Sequence, residues 1–205
     1  RRRYERDRSS NYGNAGQRWD GRSGRPWLLH SQVSTRTNPL LEDILERSKP
    51  RYPSGTEHLD YLLKTPFRYP PVRSTGSRFR RPDDRHGVYY ASEHVRTALA
   101  EMAYYRVRFF EASPRTPLPR NEERLTAFSV TYQTLRGIDL TRAPLNRDRA
   151  AWTHPSDYTA TQALAATARE AGLAAIRYHS ARDPEGMNVA LLTPGAFSTD
   201  APLTR

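Results

Sequence analysis

A mixed fold of helices and short strands, class α+β, is predicted from three features of this sequence. Runs such as Leu125-Thr126-Ala127-Phe128-Ser129-Val130-Thr131-Tyr132 alternate with a two-residue period, as half-buried strands do. Elsewhere apolar residues recur at three- and four-residue intervals, as at Val95, Ala98, Leu99 and Met102, which is the helical period. The 205 residues suffice for one domain with a real core, and the periodic apolar runs begin only after Trp27.

Composition bounds the class further. Mean hydropathy is −0.86 and there are 16 prolines, so loops are many. There is no cysteine, hence neither a disulfide framework nor a thiolate metal site is expected. The closest histidines, His86 and His94, are separated by a strand and carry no ligand pattern, so no metal is expected. No apolar run approaches membrane-spanning length, and these residues hold no stretch expected to act as a leader with an apolar centre. No Walker or Rossmann glycine pattern occurs. Net charge is +11; residues 1–26 hold eight Arg against Glu5, Asp7 and Asp20, placing +5 there and +6 in the remainder. Such a balance suits a polyanion, a membrane surface, an acidic protein partner or a dinucleotide.

In chain order, residues 1–26 read as an Arg-rich disordered tail or linker with no apolar period. Its start, with Tyr4 among arginines, could stack on nucleic acid, although a solvated tail is the commoner fate. Residues 27–65 read as an N-terminal helical cover. Asn38-Pro39 opens one helix with apolar Leu40, Leu41, Ile44 and Leu45, and Thr56 to Leu63 forms a second that stops at Pro66. Residues 66–205 form the main domain. Pro66 to Pro71 is expected to be extended, with Arg68 facing away from Phe67 and Tyr69. Val88-Tyr89-Tyr90 is a strand ending at Tyr90, and Ser92 is placed to cap the following helix. A proline-rich connection precedes strands at 125–132 and 137–140. A helix runs from Tyr158 through Ala168 to a stop at Gly172, followed by strands at 173–178 and 188–192 joined by the turn Asp183-Pro184-Glu185-Gly186.

Several side chains stand out chemically. At about 100° per residue, Glu101 lies beside Ala98 and Tyr105, at the edge of the apolar stripe of its helix. A carboxylate there is neither fully solvated nor freely buried, which suits a working group as well as an ordinary salt bridge. Arg78 follows Gly76-Ser77, where a small residue lets backbone approach a ligand, and Arg80, Arg81 and Arg85 crowd the same loop. A guanidinium fork suits pyrophosphate oxygens. Ser180 falls at a strand end; it lacks a G-x-S-x-G setting and a His–acid pair placed to activate it, so hydrogen bonding is its expected work. Gln162 faces either a pocket or a structural partner.

Four of these segments, in order, carry a likeness. G-S-R-F at Gly76, G-V-Y-Y-A-S-E at Gly87, A-L-A-E ending at Glu101 and I-R-Y-H-S-A-R-D-P-E-G-M-N-V-A-L-L around Ser180 together resemble the core of the RES family, over residues of about 66–195. The family is named for its Arg, Glu and Ser. RES sequences often read G-R-W-N before the strand, with a shorter gap; here Arg78 precedes Tyr90 by 12 positions and Arg80 stands in place of Asn. Arg78 keeps the order glycine, small residue, arginine, aromatic and is preferred to Arg80.

The resemblance implies a compact ADP-ribosyltransferase-like catalytic domain over 66–205, with two small, mainly antiparallel sheets flanked by helices around a cleft for NAD⁺. It implies Glu101, Arg78 and Ser180 as catalytic residues. It also implies Arg68, Arg78, Tyr90, Ser180 and Asn188 as residues that bind NAD⁺, with Tyr90 against the nicotinamide. The implied activity is that of a toxin that cleaves the nicotinamide–ribose bond and depletes NAD⁺, by hydrolysis or with inorganic phosphate as co-substrate. The implied partner is an Xre-type helix-turn-helix antitoxin, with nucleic acid reached only through it. The implied setting is the bacterial cytoplasm, or a target cell's cytoplasm if the chain is the effector end of a longer toxin. Two alternatives stay open: a mono-ADP-ribosyltransferase acting on a protein, and a basic nucleic-acid-binding module.

Overall fold

A computed structural model of the chain describes residues 23–24, 26–31, 46–69, 76–119 and 125–198. Of the expected disordered tail over residues 1–26, only residues 23, 24 and 26 are described, and Ser23–Gly24 is a strand, which corrects the expectation there. The expected helix start at Asn38 lies outside the described residues; a helical turn at 46–48 lies inside them.

Eight strands and four α-helices are described: β1 (Ser23–Gly24), β2 (Trp27–Ser31), α1 (Tyr61–Lys64), β3 (Tyr89–Ser92), α2 (Val95–Ala112), β4 (Leu125–Ser129), β5 (Tyr132–Gln133), β6 (Gly137–Asp139), α3 (Arg149–Trp152), α4 (Thr159–Glu170), β7 (Ala175–His179) and β8 (Met187–Leu191). Six strands form one sheet in the order β4-β2-β3-β8-β7-β6, antiparallel except for the parallel β6–β7 pair. β1 and β5 pair as a two-stranded antiparallel ribbon. The architecture is therefore mixed and mainly antiparallel, as expected, with most strands gathered in the larger sheet. A parallel pair needs a crossover, and α3 and α4 supply it between β6 and β7.

Strand alternation divides the core. Tyr89, Ala91, Val189, Leu191 and Ala175 face one side, packed with Leu59, Leu63, Phe67, Phe128 and Phe197. Ala190, Ile176 and Tyr178 face the other, where Ala165 and Ala168 of α4 approach closely together with Phe79 and Leu140. Alanines on α4 are what let a helix axis come near a sheet, as its alanine-rich sequence predicts.

The structure corrects several local expectations. Trp27–Ser31, inside the segment read as helical cover, is a strand between β4 and β3. Its run Trp-Leu-Leu-His-Ser has no alternation, and its state is set by its neighbours. The second helix starts at Tyr61, where the Asp60 carboxylate accepts from the Leu62 N–H, and Pro66 lies within a 3₁₀ turn at Thr65–Phe67. Arg68 therefore ends a helical turn and does not sit on an extended segment. Tyr90 lies inside β3, paired with Ala190, and not at its end. Ser92 is also in β3; the residue at the α2 N-cap is His94, which makes no side-chain capping bond.

Candidate active site

A cavity of about 430 Å³ opens on the Tyr178 side of the sheet, between β3, β8, β7 and helix α2. Among the residues that line it, Glu101 is the only acid and Arg78 the only base. The rest of the wall is largely aromatic: Trp27, Tyr90, Tyr105, Tyr158 and Tyr178.

Glu101 comes from the second turn of α2, and the sheet holds it from below. The Ser180 hydroxyl donates to its Oε1 at 2.6 Å, and the Asn188 Nδ2 donates to the same oxygen at 2.8 Å. Among the described residues Oε2 has no hydrogen bond, so one carboxylate oxygen is anchored and the other is presented. Ser180 and Asn188 are each 3% exposed, whereas Glu101 is only half-buried. Ser180 accepts the backbone N–H groups of Arg182 and Asp183, both at 3.0 Å. Its acceptor capacity is thus occupied, and its single proton points to Glu101. Asn188 accepts on its other end from the Ser92 hydroxyl at 2.7 Å.

The strand-to-helix geometry that brings these groups together is clamped at one point. The Asp183 carboxylate accepts from the Thr97 hydroxyl at 2.7 Å and from Arg96 at 3.0 Å, tying the 180–186 turn to the first turn of α2. The turn closes through the Gly186 N–H on the Asp183 carbonyl at 2.8 Å. Thr97 is fully buried.

Arg78 sits on a tight turn closed by Ser77 N–H to the Arg80 carbonyl at 2.8 Å and Arg80 N–H to the Ser77 carbonyl at 3.1 Å. Gly76 has φ +68°, and a Cβ there would lie 2.1 Å from the Arg80 carbonyl oxygen, so only glycine fits. The Arg78 side chain is 6% exposed. Its guanidinium donates to the carbonyls of Trp152 at 2.6 Å and His154 at 3.0 Å and lies over the Tyr158 ring at 4.9 Å. Among the described residues no carboxylate pairs with it, so its charge is held by carbonyl dipoles and an aromatic face. Gln162 fixes the turn from α4, donating to the Ser77 and Arg80 carbonyls at 3.0 and 3.1 Å. Gln162 is thus a structural partner of the arginine turn.

Tyr90 shows its ring to the cavity and anchors its hydroxyl behind it. That oxygen accepts the Phe79 N–H at 2.9 Å and shares a hydrogen bond with the Ser77 hydroxyl at 2.9 Å. Its ring is stacked against Phe79, centroids 6.5 Å apart. Burial pushes the phenol of Tyr90 above its ordinary pKa, and burial together with the nearby Glu101 charge does the same for Tyr178. Tyr105 is raised mainly by burial, with Tyr158 and Glu101 adding to it. All three remain neutral hydroxyls around a carboxylate.

Of the residues the sequence singles out, Glu101, Ser180, Asn188, Tyr90 and Arg78 meet around one cavity. Arg68 and Arg80 do not line it. The Arg68 guanidinium donates to the Glu46 carboxylate at 2.6 Å and to the Pro50 carbonyl, and it stacks on Tyr52. Arg80 donates to the carbonyls of Tyr69 at 2.7 Å and Asp84 at 3.3 Å. Between the two arginines of the turn, Arg78 is the one at the cavity. Trp27, Tyr158 and Tyr178 also line the wall, and no local pattern marks them; the general signal is 12 tyrosines and 3 tryptophans in a polar chain.

The RES domain family model matches residues 51–204. The chain belongs to the RES domain family. No curated protein matches it in sequence. Among solved structures, the RES domain described here is similar to a chain of the Mycobacterium tuberculosis MbcT–MbcA toxin–antitoxin complex. The TM-score is 0.52 at 13% identity, covering 89% of this chain and 82% of the other. At that identity the likeness is one of fold. The RES match includes every cavity residue named above except Trp27.

Proposed function

We propose that this RES domain is an NAD⁺-cleaving toxin that breaks the nicotinamide–ribose bond. The observation that carries the reading is the Glu101 carboxylate, held through one oxygen by Ser180 and Asn188 in the wall of an aromatic cavity. In this reaction the C1′–N bond breaks with its electron pair going to the pyridinium nitrogen. Nicotinamide leaves neutral, so no general acid is required, and positive charge grows on the ribose. The task left to the protein is to hold the dinucleotide and stabilise that charge. Oε2 of Glu101 is placed to face it and to accept from a ribose hydroxyl, fixed in advance by two donors behind it. Tyr90 offers a flat face for the nicotinamide ring. Arg78, buried without a carboxylate partner among the described residues, offers a guanidinium for pyrophosphate oxygens. Arg68, engaged by Glu46, has no part in this arrangement. No metal enters it.

The ribosyl cation is then captured by water, which releases a proton, or by inorganic phosphate; the first gives a glycohydrolase and the second a phosphorylase. The partner proposed for such a toxin is a cognate antitoxin of the Xre helix-turn-helix type, and its setting the bacterial cytoplasm.

The test is nicotinamide release from NAD⁺ by purified protein, with and without phosphate. Glu101→Ala is expected to lower the rate at least a hundredfold while the protein stays folded, on the scale of losing a preorganised charge in an active site. Dependence on phosphate names the acceptor. Release only in the presence of a protein substrate, with label transferred to it, moves the activity to mono-ADP-ribosyl transfer. Absence of release in any buffer, with binding to nucleic acid that weakens steeply with salt and ignores Glu101, overturns the reading in favour of a basic binding module.

A further inference from the structure

We infer that Ser92 is a positioning residue for Glu101, acting through the Asn188 amide. The kinetic part of this inference rests on the reaction proposed above; the structural part does not.

Ser92 and Asn188 are direct partners across the β3–β8 ladder, so their side chains stand on the same face. They are 4% and 3% exposed. The hydroxyl of Ser92 donates to Asn188 Oδ1 at 2.7 Å, and the other end of the amide donates to Glu101 Oε1 at 2.8 Å. The three groups form one donor chain: hydroxyl to amide, amide to carboxylate. Each link polarises the next, so the hydroxyl strengthens the amide as a donor. Ser180 reaches the same Oε1 by a separate route, and its donor direction is fixed by two backbone N–H groups. Among the described residues no backbone group fixes Asn188 in this way; what holds its amide is Ser92 on one side and Glu101 on the other.

Remove the Ser92 hydroxyl and Oδ1 is left buried without a donor. An unsatisfied buried acceptor is costly, and the amide relieves it by turning away. Either the strain or the turn weakens the Nδ2 bond to Glu101. A carboxylate oxygen that keeps only one of its two donors is held less firmly against the cavity.

The experiment follows the Asn188 side-chain amide protons by nitrogen-edited NMR in asparagine-labelled protein, alongside nicotinamide release, for wild type, Ser92→Ala, Ser92→Cys and Ser92→Thr. Ser92→Ala is expected to move the Asn188 amide proton signals upfield, as a weakened donor bond does. Its kcat should fall roughly tenfold with KM within about twofold. Ser92→Thr keeps the hydroxyl and restores both; Ser92→Cys, a weaker donor, falls between and carries the test if the alanine variant does not fold. Asn188 amide signals that stay put in the folded alanine or cysteine variant overturn the inference, as does a KM that rises in proportion to the fall in kcat. Shifted amide signals in a protein that releases no nicotinamide uphold Ser92 and sink the proposed reaction.

Discussion

A single serine shows how much a hydroxyl's surroundings decide. Ser180 sits beside a glutamate, yet its oxygen already accepts two backbone N–H groups and its proton is committed to Glu101. It is a donor in a cradle, as the lack of an activating His–acid pair in the sequence suggested. The residues legible in the sequence were those whose type was odd for their place: a carboxylate at the edge of an apolar stripe, an arginine after Gly-Ser. Arg68 misled because its position was judged from alternation in a segment that Pro66 turns into a 3₁₀ bend, and alternation has no meaning in a helical turn. Ser92 was legible only as a cap, because its partner lies 96 residues away. His179 belongs to this scale too. Burial, with Arg149 and Arg177 nearby, pushes its pKa below the ordinary 6.5, and its Nδ1 is buried without a partner. The folded state therefore favours neutral imidazole. Below about pH 6.5 the unfolded chain takes up a proton that the folded chain refuses, so this contribution to stability is present above that pH and is lost as pH falls toward the lowered folded value. In denaturant titrations between about pH 7.5 and pH 5, His179→Gln should show a shallower loss of midpoint than wild type; equal slopes would mean that His179 does not titrate with folding.

Elements are held here by one hinge-like contact between a turn and a helix. Thr97 and Asp183 join α2 to the 180–186 turn, and Glu101 sits one turn further along α2 while Ser180 sits at the base of that turn. The distance from Glu101 to its donors is thus set by how closely the turn and the helix approach. Gly186 permits the approach: a Cβ there would lie 2.5 Å from the Thr97 side chain and 2.8 Å from an Asp183 carboxylate oxygen. Gly186→Ala is expected to cost about 1–3 kcal/mol of stability by overpacking, and to weaken the Ser180 bond to Glu101 as the turn is pushed outward. Thermal unfolding with and without a paired Thr97→Ser change, which removes one of the clashing atoms, measures it; no rescue by the pair would place the strain elsewhere. Strands from β3 onward were readable because their apolar residues alternate or run between turn signals. β2 was not, since Trp-Leu-Leu-His-Ser carries no period and becomes a strand by pairing with β4 along its whole length.

Across the whole molecule, the cavity is assembled from pieces distant in sequence: Trp27 on β2, Arg78 on a turn, Glu101 on α2, Tyr158 from the β6–β7 crossover and Asn188 on β8. Local patterns could name such residues but could not place them together; the family likeness did that, because it carries the order of motifs along the chain. A net charge of +11 also acts at this scale, drawing anionic molecules toward a surface whose cavity holds one acid. The presence of Trp27 in that wall has a further consequence. An indole against the site makes the molecule its own optical gauge. A pyridinium ring entering the cavity is an electron acceptor and should quench that indole, so NAD⁺ added to the Glu101→Ala variant should dim its emission along a saturable curve. Trp27→Phe should remove the saturable part and leave the emission of Trp19 and Trp152, so the paired titrations test the proposed NAD⁺ binding independently of turnover.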